Sequence, residues 1–348
     1  MPVTHGPLDA LLARRILVLD GAMGTMVLRL GLDEDAFRGA PFARHDRPLR
    51  NDVDALSISR PELVLGIHRA YLEAGADIIE TNTFTATALA QAEFGLGQAA
   101  YELNLAAAGL ARRAADQWSD RTPDRPRFVA GAIGPANRSF FTSPEAGDPA
   151  LHADAVAHVR AAYREQARGL LDGGVDLLLL ETVADTLTAS TAIAAILDEL
   201  DARDLRVPVL VSATITERDG RTLSGQTVEA FYASIRHLRP LAVGLNCAFG
   251  ARQMRRHLAG LSRVAPELVT CHPSAGLPDA SGRYPEQPSD TAALLRELAT
   301  AGLVNVVGGC CGTTPDHIRA IADAVRDLPP RMPPPSVVVA RSAPDAGG

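Results

Sequence analysis

Gly173-Gly174-Val175-Asp176-Leu177-Leu178-Leu179-Leu180-Glu181 is the stretch whose reading decides the fold. Four consecutive leucines show no alternation of apolar with polar residues, so a strand over Asp176–Glu181 must be buried on both faces. Antiparallel strands commonly wet one face and alternate; a continuous apolar run fits a parallel sheet. The flanks agree. Helical periodicity runs upstream from about Ala155 to Leu171 and stops at the paired glycines, and Asp185 downstream caps a helix to about Leu200. A strand between two helices is the unit from which parallel sheets are built.

The same unit repeats in both directions. Toward the N-terminus, strands are expected at Arg127–Ala132, Asp77–Thr81 and Ile16–Asp20, with helical periodicity over about Thr87–Trp118. Another helix opens at Ser59-Arg60-Pro61-Glu62, buries Leu63, Ile67, Ala70, Tyr71 and Ala74 on one face, and ends at Gly75. Toward the C-terminus, strands are expected at Val207–Ala213, Leu241–Leu245, Leu268–Cys271 and Leu303–Val307. Helices at 227–238, 251–263 and 289–301 separate them, and a last one runs from Thr314-Pro315-Asp316 to about Arg326. About eight such units without a compositional break predict an α/β fold, a single (β/α)8 TIM barrel over residues 1–328. A doubly wound sheet would need a nucleotide fingerprint after an early strand, and Asp20-Gly21-Ala22-Met23-Gly24 lacks the G-x-G-x-x-G spacing.

Two stretches fall outside the repeat. The polar connection from about Asp33 to Ser59 is long for a compact domain and reads equally as a functional lid or a passive excursion. From residue 329 the chain carries Pro329, Pro330, Pro333, Pro334 and Pro335, and it closes on Asp345-Ala346-Gly347-Gly348. This is expected to be a linker or disordered tail.

A net charge of −7 argues against a nucleic-acid-binding surface. No run approaches the roughly 20 apolar residues of a membrane span, and Met1–Ala10 does not read as a signal peptide. Four cysteines, Cys247, Cys271, Cys310 and Cys311, are too few for a disulfide scaffold and suit a reducing, cytoplasmic setting.

The chemistry is concentrated at one rim. A barrel of this kind places its active site at the C-terminal ends of the strands, and all four cysteines fall there. In Gly308-Gly309-Cys310-Cys311-Gly312-Thr313-Thr314 two neighbouring thiols sit between glycines just after the eighth strand. Adjacent cysteines are poorly placed for a disulfide, whereas thiolates are ready ligands for a tetrahedral Zn²⁺. A third ligand must come from another strand end. Cys247, in Gly244-Leu245-Asn246-Cys247-Ala248, has a modest edge because a small residue follows the sulfur, as at the strand-eight turn. Cys271 remains the alternative, with a small apolar filler as its other reading. A Cys₃ site with one open position suits alkyl transfer to a thiol: a coordinated thiol is deprotonated outright, and three thiolates keep a fourth sulfur electron-rich.

Seven stretches carry a resemblance to a known family: LDGAMGTM (19–26), EAGADIIETNTF (73–84), GAIGPANR (131–138), DLLLLETVADT (176–186), RTLSGQT (221–227), GLNCAFG (244–250) and GGCCGTT (308–314). They resemble the homocysteine S-methyltransferase family, most closely the homocysteine-binding module of cobalamin-dependent methionine synthase, over about residues 16–327. The resemblance implies a zinc-bearing barrel with Cys247, Cys310 and Cys311 as both metal ligands and catalytic residues. It implies a role in methionine biosynthesis and one-carbon metabolism, with a zinc-bound homocysteine thiolate attacking a methyl donor. It also implies that Asp20 and Glu181 face the amino-acid end of homocysteine, where acids at strand ends can pair with an α-ammonium group. Related sequences often carry Asn where this chain has Ser274. Thr81, Asn82 and Asn246 share the rim and are as well suited to hold loops as to touch substrate; Gly308 and Gly309 read as turn formers.

The resemblance points to methylcobalamin as donor, although the chain has no D-x-H-x-x-G stretch to ligate cobalamin, so a separate cobalamin-binding module or protein is the implied partner. Direct transfer from S-methylmethionine or betaine is the alternative; a non-enzymatic zinc- or thiol-binding barrel, perhaps closed by Cys271, is a third. Aromatic residues make up 4% of the chain, and the single Trp118 lies on a helix away from the C-terminal end of any strand. That composition disfavours an aromatic cage for a small cationic donor.

Overall fold

The computed structural model describes residues 6–136, 149–216 and 219–334. Eight strands form one parallel sheet: β1 Leu17–Val18, β2 Ile78–Glu80, β3 Phe128–Ile133, β4 Leu177–Val183, β5 Val209–Ala213, β6 Ala242–Cys247, β7 Leu268–Pro273 and β8 Val306–Val307. Each strand pairs with its sequence neighbour, and β1 pairs with β8 through Leu17↔Val306 and Val18↔Val307. The ring closes between β1 and β2 by one bridge, Leu19↔Ile78, flanked by Asp77 N–H to Val18 O at 2.7 Å and Asp20 N–H to Ile78 O at 3.0 Å. The fold is a (β/α)8 barrel.

Eight helices follow the strands: α1 Pro61–Ala74, α2 Ala100–Arg121, α3 Pro149–Asp172, α4 Thr186–Ala202, α5 Val228–Ile235, α6 Ala251–Val264, α7 Pro288–Thr300 and α8 Pro315–Val325. Consecutive helices pack on one another, and α8 returns to α1 to complete the outer ring. Several begin as the sequence dictates. Pro61, Pro288 and Pro315 occupy first turns, where a missing N–H costs nothing. Asp185 accepts the Thr188 N–H at 2.7 Å to cap α4. Gly75 ends α1 at φ 110°, a conformation that a side chain would resist.

The leucine run explains itself in this frame. Leu177 and Leu179 point inward, packing with Leu17, Leu19, Ile78 and Leu210; Leu178 and Leu180 belong to the outer core between sheet and helices. Alternate residues thus enter two different cores, and each leucine contributes roughly 1.5–3 kcal/mol by burial. The N-terminal turn Pro7–Leu12 adds Leu8 and Leu12 to the inner cluster. At the N-terminal ends of the strands one device recurs: the residue before a strand accepts an N–H from its neighbour. Asp77 accepts from Val18 at 3.0 Å, Asp176 from Val129 at 2.7 Å and Asn305 from Val269 at 3.0 Å.

Four details differ from the sequence reading. The helical stretch expected over Thr87–Trp118 is interrupted: a turn over Ala88–Gln91 passes into 3₁₀ turns, and α2 starts at Ala100. Gly95, at φ 75°, breaks the continuity. The first and eighth strands are two residues each, shorter than expected, although Leu19 N–H still donates to Val307 O at 2.7 Å and Gly308 N–H to Cys271 O at 3.1 Å. The connection over 33–59 is more ordered than its polar composition suggests. It carries helical turns at Glu34–Arg38 and Leu56–Ser59 and buries Leu49 and Leu56. Asp54 accepts from Thr85 N–H at 3.0 Å, and Asp52 from Gln91 at 3.1 Å, which ties the segment to the chain after β2. Finally, the packed chain runs past 328. Arg331 is buried, its guanidinium donating to Ser262 Oγ at 2.6 Å and to the Ser262 and Glu267 carbonyls at 2.8 and 3.0 Å. Residues 335–348 of the expected tail lie outside the described residues.

Candidate active site

The sulfurs of Cys247, Cys310 and Cys311 all lie within 4.8 Å of one another. Two turns bring them together. At the end of β6, Cys247 and Ala248 take left-handed backbone conformations, φ 56° and 60°. Such conformations cost L-residues roughly 1–2 kcal/mol each, and here they aim the Cys247 sulfur across the rim. After β8, the paired-cysteine turn is stapled to its neighbours. Gly309 N–H donates to Asp20 O at 3.0 Å, Cys310 N–H to Pro273 O at 2.8 Å, and Thr313 Oγ1 to Cys310 O at 2.6 Å. Gly312 is the residue of this turn at positive φ, 82°, and a Cβ there would lie 2.2 Å from Tyr284. Gly308 and Gly309 serve otherwise than expected: their φ angles are ordinary, and they are glycines because Cβ atoms would strike Leu19 at 2.7 Å and Thr313 at 2.4 Å.

The thiols interact as a unit. Cys247 and Cys311 sulfurs are 3.6 Å apart, and Ser274 Oγ lies 3.6 Å from the Cys247 sulfur. Hydrogen bonds from Cys310 and then Cys311 push the Cys247 thiol down to about 2; the contacts with Cys247 and then Cys311 hold Cys310 well above the usual thiol range, and the contact with Cys247 pushes Cys311 up to about 11 against an opposing one from Cys310. Cys271 is elsewhere. It is fully buried, its sulfur 3.9 Å from Met254 Sδ, and burial raises its thiol strongly. Among the described residues it is not part of the converging thiols.

Beside the sulfurs lies a group of acids. β4 bulges between Leu180 and Val183, with Thr182 at φ 56°, and the bulge re-aims Glu181. Asn246 connects the two parts of the rim. Its Oδ1 accepts from Thr182 N–H at 2.9 Å and Ser212 Oγ at 2.8 Å; its Nδ2 lies 2.7 Å from Thr182 Oγ1, 3.3 Å from Glu181 Oε2 and 3.9 Å from the Cys310 sulfur. Burial, then the nearby Glu80 carboxylate and a hydrogen bond to it, holds the Glu181 carboxyl well above its usual range. Burial pushes Glu80 up to about 7, against a hydrogen bond from Glu181 that lowers it. Asp20 is raised by burial and then by Glu80, and both its oxygens lie 3.2 Å from the Glu80 N–H. Thr81 and Asn82 hold structure: Thr81 Oγ1 accepts from Ala132 N–H at 2.9 Å, and Asn82 Nδ2 donates to Val53 O at 2.7 Å.

Three residues of this rim were not singled out from the sequence. Glu80 stands in the quoted 73–84 stretch, but an acid at a strand end is also a common cap. His272 follows Cys271 directly; its environment could not be read from its neighbours. Tyr284 comes from the polar loop after β7 and lies within hydrogen-bonding reach of Cys311, and burial, then the Cys311 charge, raises its phenol. No local pattern marks it.

Comparison with known proteins agrees with this geometry. A family model described as homocysteine S-methyltransferase matches residues 17–325. Two crystal structures of the homocysteine methyltransferase MmuM from Escherichia coli, a metallated and an oxidized form, are each 26% identical to this chain. Each alignment covers 91% of this chain and 99% of the other, with TM-scores of 0.68 and 0.69. No helix among the described residues is long and apolar enough to cross a membrane.

Proposed function

The chain belongs to the homocysteine S-methyltransferase family, a methyltransferase acting on homocysteine, and on that premise we propose that it forms methionine at a zinc site of Cys247, Cys310 and Cys311, with methylcobalamin as the methyl donor. The convergence of three thiols at the strand ends carries this reading. The donor set fits the ion. Tetrahedral zinc with Zn–S distances of about 2.3 Å separates its sulfurs by roughly 3.8 Å, close to the 3.6 Å between Cys247 and Cys311. When bound, zinc would hold the thiol of homocysteine as thiolate at neutral pH.

The remaining work falls to the chain. Glu181 offers its carboxyl to the α-ammonium end of homocysteine, and Asp20 serves the same end from behind, both its oxygens facing the Glu80 N–H. Asn246, touching both Glu181 and Cys310, fixes the spacing between the two ends. The homocysteine sulfur then forms a bond to the methyl carbon as that carbon leaves cobalt or, with another donor, sulfur or nitrogen. Alignment of this kind can be worth about 7–11 kcal/mol.

Methylcobalamin is favoured as a co-substrate presented by a separate cobalamin-binding module or protein. The 33–59 segment is anchored to Thr85 and Gln91, which supports a mouth that admits a bulky donor. Tyr284 beside Cys311 favours a second reading, a small cationic donor such as S-methylmethionine or betaine held against an aromatic face. Methionine formation is measured with each donor separately. Slow turnover with free methylcobalamin, faster with a corrinoid-carrying protein, is expected. Rapid turnover confined to S-methylmethionine or betaine would transfer the assignment to that donor, and no methionine from any of them would sink the proposal.

A further inference from the structure

Glu80, Glu181 and His272 form a second cluster, drawn from the ends of β2, β4 and β7. One ligand atom of each lies within 4.8 Å of those of the other two. His272 is 2% exposed, yet its Nε2 has no hydrogen-bond partner among the described residues. Leaving a buried polar atom unpaired is unfavourable, and this nitrogen is free to accept from a guest. Glu80 and Glu181 share a hydrogen bond, neither is paired with an arginine among the described residues, and both are aimed into the same space. Asp20 is differently engaged, because both its oxygens face the Glu80 N–H.

Two carboxyls and a free imidazole nitrogen around one space suit a compact cation with several hydrogens to donate. Asn246 separates this space from the thiols by a single side-chain amide. A substrate with a thiol and an ammonium group four bonds apart can reach both. We propose that Glu80 and His272 join Glu181 as the pocket for the substrate's α-ammonium group, with Asp20 a positioning residue that fixes the Glu80 backbone. This rests on the reading of the chain as a homocysteine methyltransferase. It makes discrimination between amino thiols and plain thiols a property of β2 and β7 as well as β4.

The test is calorimetric and needs no methyl donor. L-homocysteine and 4-sulfanylbutanoate, the same thiol acid without its amine, are titrated into the chain loaded with zinc. The unaltered chain is expected to prefer homocysteine by tenfold or more. Glu80→Gln and His272→Phe should each weaken homocysteine roughly tenfold and leave 4-sulfanylbutanoate within about twofold. Retained binding of that second thiol, with retained zinc, shows that the variant is folded. His272→Gln, which keeps an acceptor, should fall between the unaltered chain and His272→Phe. Equal losses for both thiols in a zinc-replete variant would overturn the pocket and indicate a structural role. So would equal affinity of the unaltered chain for both thiols, or a second zinc equivalent lost in Glu80→Gln, which would make the cluster a metal site. No homocysteine binding by the unaltered chain would overturn the parent reading, and this one with it.

Discussion

The two ends of the barrel use the same acids in opposite ways. At the N-terminal ends of the strands, Asp77 is completely buried, with Arg15 at 2.7 Å and Arg125 at 2.9 Å. Burial pushes its carboxyl up, but the Arg15 hydrogen bond and the charges of Arg125 and Arg15 outweigh it, and the carboxyl sits below its usual range. At the C-terminal ends, Asp20 and Glu181 are buried and Glu80 is half-buried, none of them with such a partner among the described residues, and all three carboxyls are raised. Paired charges hold a fold. Unpaired ones, beside a strained turn and an orphaned imidazole, are arranged for something that arrives. The division matches the rule for this fold, which assigns stability to one end and chemistry to the other.

The largest effects should come from the rim cysteines. Cys247→Ala, Cys310→Ala and Cys311→Ala are each expected to lose tight zinc and to lower methyl transfer by more than about a hundredfold, since even groups behind metal ligands are worth 10–100-fold. Cys271→Ala should keep both, because its sulfur packs against Met254. Metal analysis of the four purified variants decides the matter; full zinc in Cys247→Ala would break the assignment of that ligand.

At the opposite end, Asp77→Asn should cost stability and spare binding. Breaking a buried ion pair costs about 3–5 kcal/mol; because Arg15 and Arg125 are partly exposed, about 2–3 kcal/mol is expected. The sign with pH follows from a lowered carboxyl. Its contribution is present above the ordinary value of 3.8 and lost as pH falls through the lower folded value. Urea unfolding should therefore show a gap between the two proteins at pH 7 that narrows below about pH 4. Weakened homocysteine binding in this variant would blur the division between the ends.

Glu80 should show the reverse sign. The folded chain holds its carboxyl at about 7 against an ordinary 4.5, so it keeps a proton that the unfolded chain releases. The stability attached to that proton is present below pH 4.5 and is lost as pH rises through 7. Melting temperatures of the ligand-free chain should accordingly decline over that range, and Glu80→Gln should flatten the decline. A decline of equal slope in both proteins would place the titrating group elsewhere.

The sequence discloses these two ends unequally. The four leucines of β4 reveal both faces of the sheet because each face has its own core, and the paired cysteines stand out because a glycine-flanked thiol pair has few structural uses. Glu80 and His272 stayed hidden because a strand-end acid and a lone histidine look alike whether paired or waiting; the difference lies in what three other strands bring beside them. Tyr284 reaches Cys311 from a loop whose course is set by tertiary packing. The bulge at Thr182 and the left-handed turn at Cys247 have no glycine to announce them. Arg331 was masked by the prolines around it, whose composition suggests a linker more strongly than one arginine suggests an anchor.

That arginine gives the smallest effect and the last test of the division. Arg331 seals the end opposite the thiols. Its guanidinium bridges the Ser262 and Glu267 carbonyls, its N–H donates to Val304 O at 3.1 Å, and its carbonyl accepts from Asn305 Nδ2 at 2.9 Å. Asn305 in turn accepts the Val269 N–H, so one chain of hydrogen bonds runs from the arginine into β7. Arg331→Ala removes the fork and leaves buried carbonyls to find water, a loss of about 1–3 kcal/mol. For a chain of this size that is a fall of several degrees in melting temperature at roughly 2–4 °C per kcal/mol. Arg331→Lys should recover part of it, since an ammonium keeps the charge but cannot span carbonyls as the planar fork does. Truncation after Pro334 keeps the anchor and should change little, whereas truncation after Leu328 should match or exceed Arg331→Ala. Zinc content and homocysteine affinity should be the same in all four. If the truncation after Leu328 melts with the full chain, the contacts of Arg331 contribute nothing measurable, and the packed barrel ends at 328 as composition alone would have it.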